Sequence, residues 1–178
     1  MNKKELSEID ICDLFISPAI KDARWDPMTQ IRREVTLTPG PIVVRGNMSS
    51  RNKKRRKFAD YVLSWRPGVP LAVVEAKDNN HTVSHGMQQA LGYADILGVP
   101  SAFSSNGDAF ASHNKVPADG EDIESEFPLE EFPNPNELWA RYKAFRSIED
   151  DDQGLVVEPY HTDSSDKEAR YYQVEAIN

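Results

Sequence analysis

The sequence has little of what marks secreted, membrane-spanning or repeat proteins. Cys12 is the only cysteine among 178 residues, which excludes an internal disulfide and a cysteine-based zinc site. No apolar run approaches the roughly 20 residues of a membrane span. The N-terminus leads into a charged helical pattern rather than a signal peptide, and no segment repeats. These absences predict a cytoplasmic protein with no membrane partner. The length of 178 residues is within the size range of one domain.

Basic residues are outnumbered, and a net charge of −8 argues at face value against nucleic acid as a partner. The charge is uneven along the chain, however. From Arg45 to Arg66, Asp60 is the one acid among eight basic residues, whereas acids dominate from Asp119 to Asp152. The basic segment predicts contacts with DNA phosphates, with a solvated loop as the equal alternative. Its candidate residues are Arg51, Lys53, Lys54, Arg55, Arg56 and Lys57.

The pattern of elements predicts an α/β fold with a central mixed β-sheet flanked by helices. Ser7 and Asp10 have the spacing of a helix start, and Pro18 predicts a kink or a second helix capped by Ser17. A later helix, capped by Thr82 or Ser84, should run to residue 97. Strands are predicted over residues 30–38, 57–65, 70–76, 101–105 and 108–112, with a basic loop at 46–57.

The composition changes along the chain and predicts three parts. Residues 1–115 form the core, and residues 116–165 form an acidic linker that carries a short helix at 135–146. Residues 166–178 are apolar and aromatic again, which suggests a chain cut from something longer.

Two strands deliver the residues best suited to chemistry. Asp60 lies on one predicted strand, and Glu75 and Lys77 lie at the end of the next. Side chains alternate along a strand, so Glu75 and Lys77 point the same way. Two carboxylates and the Ala76 main-chain carbonyl can hold Mg²⁺, while Lys77 orients or helps to deprotonate a water. A surface ion pair at a strand edge is the alternative.

A third element lies on the helix that follows. Gln89 and Tyr93 are spaced i, i+4 and share a helix face, where both could donate to a phosphate or to a metal-bound water. The alternative is an ordinary pair of partly exposed residues. Their face is expected to be distinct from the buried stripe of Met87, Leu91 and Ala94.

In combination, these residues resemble the PD-(D/E)xK nucleases, with their Q-x-x-x-Y helix. More narrowly, the chain resembles the N-terminal nuclease domain of the motor (R) subunit of Type I restriction enzymes. Ala59 stands where the motif name has proline. The resemblance is carried by residues 58–63, 72–77, 88–94 and 103–107 and by the helix at 135–142.

The resemblance implies a restriction-endonuclease-like core and an Mg²⁺-dependent endonuclease, in which Mn²⁺ can substitute. It implies that Asp60, Glu75 and the Ala76 carbonyl bind the metal, with Glu8 of the first helix as a further candidate. Lys77 would position the water, and Gln89 and Tyr93 would hold the scissile region. The product would be double-strand breaks in DNA. Methylation (M) and specificity (S) subunits would be partners in the full complex.

The tail carries a separate resemblance. Tyr171-Tyr172-Gln173 resembles the motif that precedes the first ATPase motif of superfamily 2 helicases. Residues 166–178 would then begin a truncated motor domain, where Gln173 would read the adenine of ATP in the intact subunit. Cleavage would be coupled to ATP-driven translocation.

Two alternatives stay open for the function of the chain: a DNA-binding or coupling module inactive in isolation, and the nuclease domain of a repair or recombination enzyme.

Overall fold

The structure, a computed structural model, describes residues 2–38, 42–45, 48–51 and 57–149. The helices are α1 (Glu8–Ile11), α2 (Ser17–Asp22), α3 (Met87–Leu97) and α4 (Pro135–Arg146). The strands are β1 (Ile31–Thr38), β2 (Ile42–Arg45), β3 (Met48–Arg51), β4 (Lys57–Arg66), β5 (Val69–Ala76), β6 (Ser101–Ser105), β7 (Ala109–Asn114) and β8 (Glu124–Pro128). No helix among these residues is long and apolar enough to cross a membrane.

Six strands form one mixed sheet in the order β1-β4-β5-β6-β7-β8. The β5–β6 pair is parallel and the other pairs are antiparallel, which confirms the predicted α/β architecture. A parallel pair needs a crossover connection, and α3 supplies it. Strand β5 lies inside the sheet, and its last six residues are buried, as its continuous apolar run predicts.

A second, two-stranded sheet pairs β2 with β3. The loop predicted over residues 46–57 is therefore wrong for β3. The polar sequence of this strand, Met-Ser-Ser-Arg, has no apolar alternation that could have signalled it. Strand β3 forms because its backbone pairs with β2, and its own sequence does not signal this pairing.

One face of the six-stranded sheet is covered by α1, α2 and α4. Tyr61 on β4 is fully buried there, and its hydroxyl lies 2.9 Å from Ser17 Oγ and donates to the carbonyl of Cys12 at 3.3 Å. Aromatic rings fill the far end of this layer, with Phe132 4.5 Å from Phe110 and 5.0 Å from Phe103 between ring centroids. The core on this side thus ties the N-terminal helices to β4.

The other face is covered by α3. Its buried residues Met87, Ala90, Ala94 and Leu97 pack on apolar residues of β1, β4, β5, β6 and β7. Gly98 ends the helix in the left-handed region at φ 63°, so the helix stops at residue 97 as predicted. Because α3 lies over the middle of the sheet, its first turn stands close to the end of β5.

The N-terminal helices follow the sequence signals with one difference. Ser7 and Asp10 form the predicted capping box. Between α1 and α2 the chain makes a π-helical turn, Cys12–Ile16, so Pro18 falls in the first turn of a new helical segment. Ser17 is not a cap, because its hydroxyl is used on Tyr61 instead.

Strand β1 does not keep one apolar face. Ile31 packs on the side of α1 and α2, whereas Val35 and Leu37 pack on the side of α3. Glu34 lies between them at φ 51°, and this left-handed residue breaks the alternation of side chains. The alternation of polar and apolar residues from 30 to 38 predicts that Ile31, Val35 and Leu37 share one face of the strand, and this prediction is wrong.

The sheet extends beyond residue 115. Strand β8, within the segment predicted as linker, pairs with β7, so the expected core limit falls inside the sheet. Its mostly exposed, acidic residues give no apolar signal. Helix α4 lies where a short helix is predicted and packs on the core, with Trp139 stacked on Trp65 at 5.1 Å. Residues 150–178, including the predicted motor segment, lie outside the described residues.

The capping box gives a first testable prediction. Replacing Ser7 by Ala should lower the free energy of unfolding by about 1 kcal/mol, because the N–H of Asp10 loses its acceptor. Denaturant unfolding measures the change. Ser84→Ala is the matched control, since α3 begins with Gly86 as its N-cap and without a side-chain cap. An equal loss in both variants would contradict the assignment of the cap.

Candidate active site

Asp60 and Glu75 are brought together by neighbouring strands. The backbone ladder between β4 and β5 ends at the pair Tyr61 and Val74. Asp60 and Glu75 lie one residue further along each strand, where opposite side chains lie on the same face. Beyond the ladder, Asp60 Oδ2 accepts the backbone N–H of Ala76 at 2.8 Å. Asp60 thereby continues the pairing of the strands through its side chain and is held in place by it.

Lys77 completes the group in the way the strand alternation predicts. Its Nζ donates to Glu75 Oε1 at 2.8 Å and to the Ala76 carbonyl at 2.7 Å. A lysine ammonium has three protons, so one remains for a water or a phosphate oxygen. Ala76 itself points into the core on the opposite face, where it is fully buried.

Glu75 is an ionisable group in an almost fully buried position, with 2% of its surface exposed. Burial raises the pKa of Glu75 to about 7; the bond from Lys77 opposes the rise and the charge of Asp60 adds to it. Burial alone would lower the pKa of Lys77, but its bond to Glu75 and the surrounding carboxylates outweigh this and raise it. The lysine is therefore held as an ammonium donor beside two carboxyl groups.

The donor set suits a small, hard cation. Glu75 Oε2 is buried without a hydrogen-bond partner, and a buried oxygen of this kind is available as a metal ligand. Asp60, Glu75 and the Ala76 carbonyl offer oxygen only, and Mg²⁺ keeps several of its waters when so bound. The residues therefore fit the predicted ion.

Glu8 approaches this group from α1. Its Oε2 lies 3.7 Å from Lys77 Nζ, and burial raises its pKa. Among the described residues, no three His, Cys, Asp or Glu side chains converge as a ready-made metal cage. Glu8 is thus an ion-pair partner of Lys77 in this geometry, rather than a third convergent carboxylate.

Gln89 and Tyr93 form a pair, but their surroundings differ from the prediction. Gln89 is exposed and its Nε2 donates to the Tyr93 hydroxyl at 2.8 Å. Tyr93 is 6% exposed and packs with Met87 and Ala94, so its face is not distinct from the buried stripe. Burial raises the pKa of Tyr93; the hydrogen bond from Gln89 opposes the rise, and the charges of Glu75 and Asp60 add to it.

The predicted DNA-contacting segment is only partly described. Lys57 is exposed at the start of β4, three residues before Asp60. The backbone of Arg51 lies at the end of β3. The four basic residues Lys53, Lys54, Arg55 and Arg56 lie outside the described residues, as does Gln173. The phosphate and nucleotide contacts of these residues therefore stay predictions.

Sequence reasoning missed two residues that touch Glu75. Gly86, just before α3, lies against the Glu75 side chain, and Ser104 on β6 stands directly beside Glu75 in the parallel register. Helical periodicity placed a cap at Thr82 or Ser84 and gave Gly86 no role, because a contact between a loop and a distant strand leaves no local pattern. Ser104 lies within residues 103–107, which contribute to the resemblance to the R-subunit nuclease domain, but no motif there assigns a role to the serine.

A mixed sheet that presents Asp60, Glu75 and Lys77 from two adjacent strands, with Gln89 and Tyr93 on the crossover helix, defines a restriction-endonuclease-like domain. Two known proteins are similar to it. The chain is 42% identical, over all 178 of its residues, to the Type I restriction enzyme EcoAI endonuclease subunit of Escherichia coli. The match covers 22% of that subunit, so the chain spans about a fifth of its length.

A solved structure agrees with this match. A fragment of a chain assigned as the HsdR subunit of a type I restriction enzyme from Vibrio vulnificus YJ016 superposes with a TM-score of 0.78 at 36% identity. The match covers 97% of this chain and 31% of that one. No family model matches the chain. The predicted resemblance is confirmed: the chain is a homologue of Type I endonuclease (HsdR) subunits over the part that it spans.

Proposed function

We propose that this chain is the DNA-cleaving domain of a Type I restriction enzyme R subunit and hydrolyses phosphodiester bonds with the help of Mg²⁺. The observation that supports this most is the meeting of Asp60, Glu75 and Lys77 at the end of β5, with one buried carboxylate oxygen unpartnered. A surface ion pair would not bury its carboxylate to this degree.

Each residue has a distinct task in the proposed reaction. Asp60, Glu75 and the Ala76 carbonyl would hold the ion, which when bound makes a water more acidic and offsets charge on the phosphate. Lys77 hydrogen-bonds through its remaining N–H to the attacking water or to a phosphate oxygen and fixes its position. Glu8 keeps the ammonium near the carboxylates from the other side.

Helix α3 supplies the second part of the site. The Tyr93 hydroxyl fixes the Gln89 amide, and the amide keeps a second N–H and its oxygen for the sugar-phosphate backbone. Lys57 and the basic segment before it would contact flanking phosphates, which compensates for the negative net charge of the chain. None of these groups is arranged to read bases, so recognition would belong to the S and M subunits.

Supercoiled plasmid provides the test of this function. The chain is incubated with plasmid in Mg²⁺ or Mn²⁺, with a chelator in a parallel reaction. Nicked circles or linear DNA should form with metal only, and Asp60→Ala should abolish them. Equal cutting by wild type and Asp60→Ala would contradict the proposal. If the wild type binds metal but does not cut, the chain acts as a module that needs its motor and partner subunits.

The Tyr93 hydroxyl gives a smaller, separable effect. Tyr93→Phe keeps the buried ring and removes the acceptor for Gln89, so the nicking rate should fall about fivefold to tenfold, the equivalent of one hydrogen bond. The midpoint of thermal unfolding should change little. Tyr142→Phe on α4 is the control and should leave the rate unchanged. An unchanged rate in Tyr93→Phe would remove Tyr93 from the site.

The control of cleavage by a motor is also part of the proposal. The chain covers only part of its relatives, and its tail resembles the motif before an ATPase domain. We therefore infer that ATP-driven translocation by further domains brings DNA to this site in the intact subunit. ATP would be a cofactor of that subunit and not of the residues described here.

A further inference from the structure

The end of the catalytic strand meets α3 at Gly86. This residue has φ −80° and ψ −6°, a backbone conformation open to any amino acid, so glycine is not required there by the backbone. It is required by space. A Cβ at residue 86 would lie 2.8 Å from Glu75 Cγ and 2.9 Å from Ser104 Oγ. Both distances are shorter than the van der Waals contact distance of a Cβ atom.

Neither neighbour can retreat easily. Glu75 is held by Lys77 on one side and is almost completely buried. Ser104 is fully buried on β6, and its hydroxyl accepts the backbone N–H of Gly86 at 3.1 Å. The three residues thus form one contact group. The Ser104 hydroxyl fixes the backbone of Gly86, and that backbone packs against the Glu75 side chain.

This contact joins the two halves of the site. Glu75 comes from β5, and Gln89 and Tyr93 lie in the first two turns of the helix that begins directly after Gly86. The contact between Gly86 and Glu75 therefore determines how far the carboxylates lie from the Gln89–Tyr93 pair. A side chain there would move either the carboxylate or the start of the helix.

We propose that Gly86 and Ser104 are positioning residues for the metal-binding carboxylate of Glu75, and that their close contact sets its orientation toward the ion. The inference rests on the proposed function of Glu75 and adds two residues that act through it. Groups that orient a metal ligand without touching the metal typically change metal affinity by about 10- to 100-fold when altered.

Direct binding of Mn²⁺ by the 178-residue chain, measured by calorimetry, tests the proposal. Gly86→Ala should weaken binding about 10- to 100-fold, and Ser104→Ala should weaken it by a smaller factor, near the lower end of that range. Circular dichroism at the same temperature should show both variants folded. In the plasmid assay, Gly86→Ala should raise the Mn²⁺ concentration for half-maximal nicking without raising the DNA concentration required.

Gly92→Ala is the matched control. It makes the same change within α3, but a Cβ there would meet no atom within 4 Å. Its Mn²⁺ affinity should stay within about twofold of wild type. If Gly86→Ala fails to fold, Ser104→Ala decides, because it removes the hydroxyl without adding an atom that could clash.

The outcomes separate this inference from the proposed function. If the wild type binds no Mn²⁺, or Glu75→Gln binds it as wild type does, the metal site itself is wrong and both proposals fall. If Glu75→Gln loses binding while Gly86→Ala and Ser104→Ala bind as wild type does, the positioning role alone is overturned. Loss of affinity in folded Gly86→Ala, with Gly92→Ala unchanged, supports it.

Discussion

Glu75→Gln should lose metal binding by at least about 100-fold, because a charged oxygen ligand becomes a neutral amide in a site with few other ligands. The substitution preserves shape, and the amide oxygen can still accept the hydrogen bond from Lys77. The effect would therefore come from the lost charge rather than from disrupted packing. Calorimetry with Mn²⁺ measures it directly.

Metal-linked stability gives a second readout of the same substitution. An ion that binds only the folded state stabilises it, and at 100 times the dissociation constant the melting temperature should rise by about 5–10 °C in a domain of this size. Wild type should show this rise with Mn²⁺, and Glu75→Gln should not. Glu124→Gln, an exposed carboxylate on β8, is the control that should behave as wild type. Equal rises in all three proteins would rule out Glu75 as a ligand.

Lys77→Ala should reduce the nicking rate by about 100- to 1000-fold, the effect of removing one preorganised donor from a charged reacting centre. The ammonium is held by Glu75 and the Ala76 carbonyl, and one N–H remains for the reacting groups. The measurement is the rate of conversion of supercoiled plasmid at saturating Mg²⁺. Mn²⁺ binding should persist, because the lysine is not a ligand.

Two further substitutions sharpen this result. Lys77→Arg should fail to restore the rate, since a planar guanidinium cannot occupy the compact place of a side chain that is 17% exposed. Lys115→Ala removes another paired lysine, bound to Asp95 at 2.6 Å, and should leave the rate within about twofold. A Lys77→Ala chain that cuts as fast as wild type would end the catalytic assignment.

Much of the site was predictable because its signals are local. Strand alternation places Glu75 and Lys77 on one face and Ala76 on the other, and the geometry agrees. The meeting with Asp60 followed from two neighbouring apolar strands that each carry an acid. Burial of β5 on both faces followed from its unbroken run of apolar residues.

The remaining features depend on contacts between distant parts of the chain. Tyr93 is buried because of how α3 lies across the sheet, which the spacing of Gln89 and Tyr93 does not reveal. Strand β8 has a polar sequence and exists through its pairing with β7. The role of Gly86 arises from the space beside Glu75, and no pattern in the sequence around residue 86 records it.

The location of a bound ion tests the central claim most directly. Crystals of the chain soaked in Mn²⁺ would give an anomalous difference peak at the ion. The account predicts one peak about 2.1 Å from carboxylate oxygens of Asp60 and Glu75, with the Ala76 carbonyl in the same coordination sphere. No peak at the end of β5, or a peak on other residues, would contradict it.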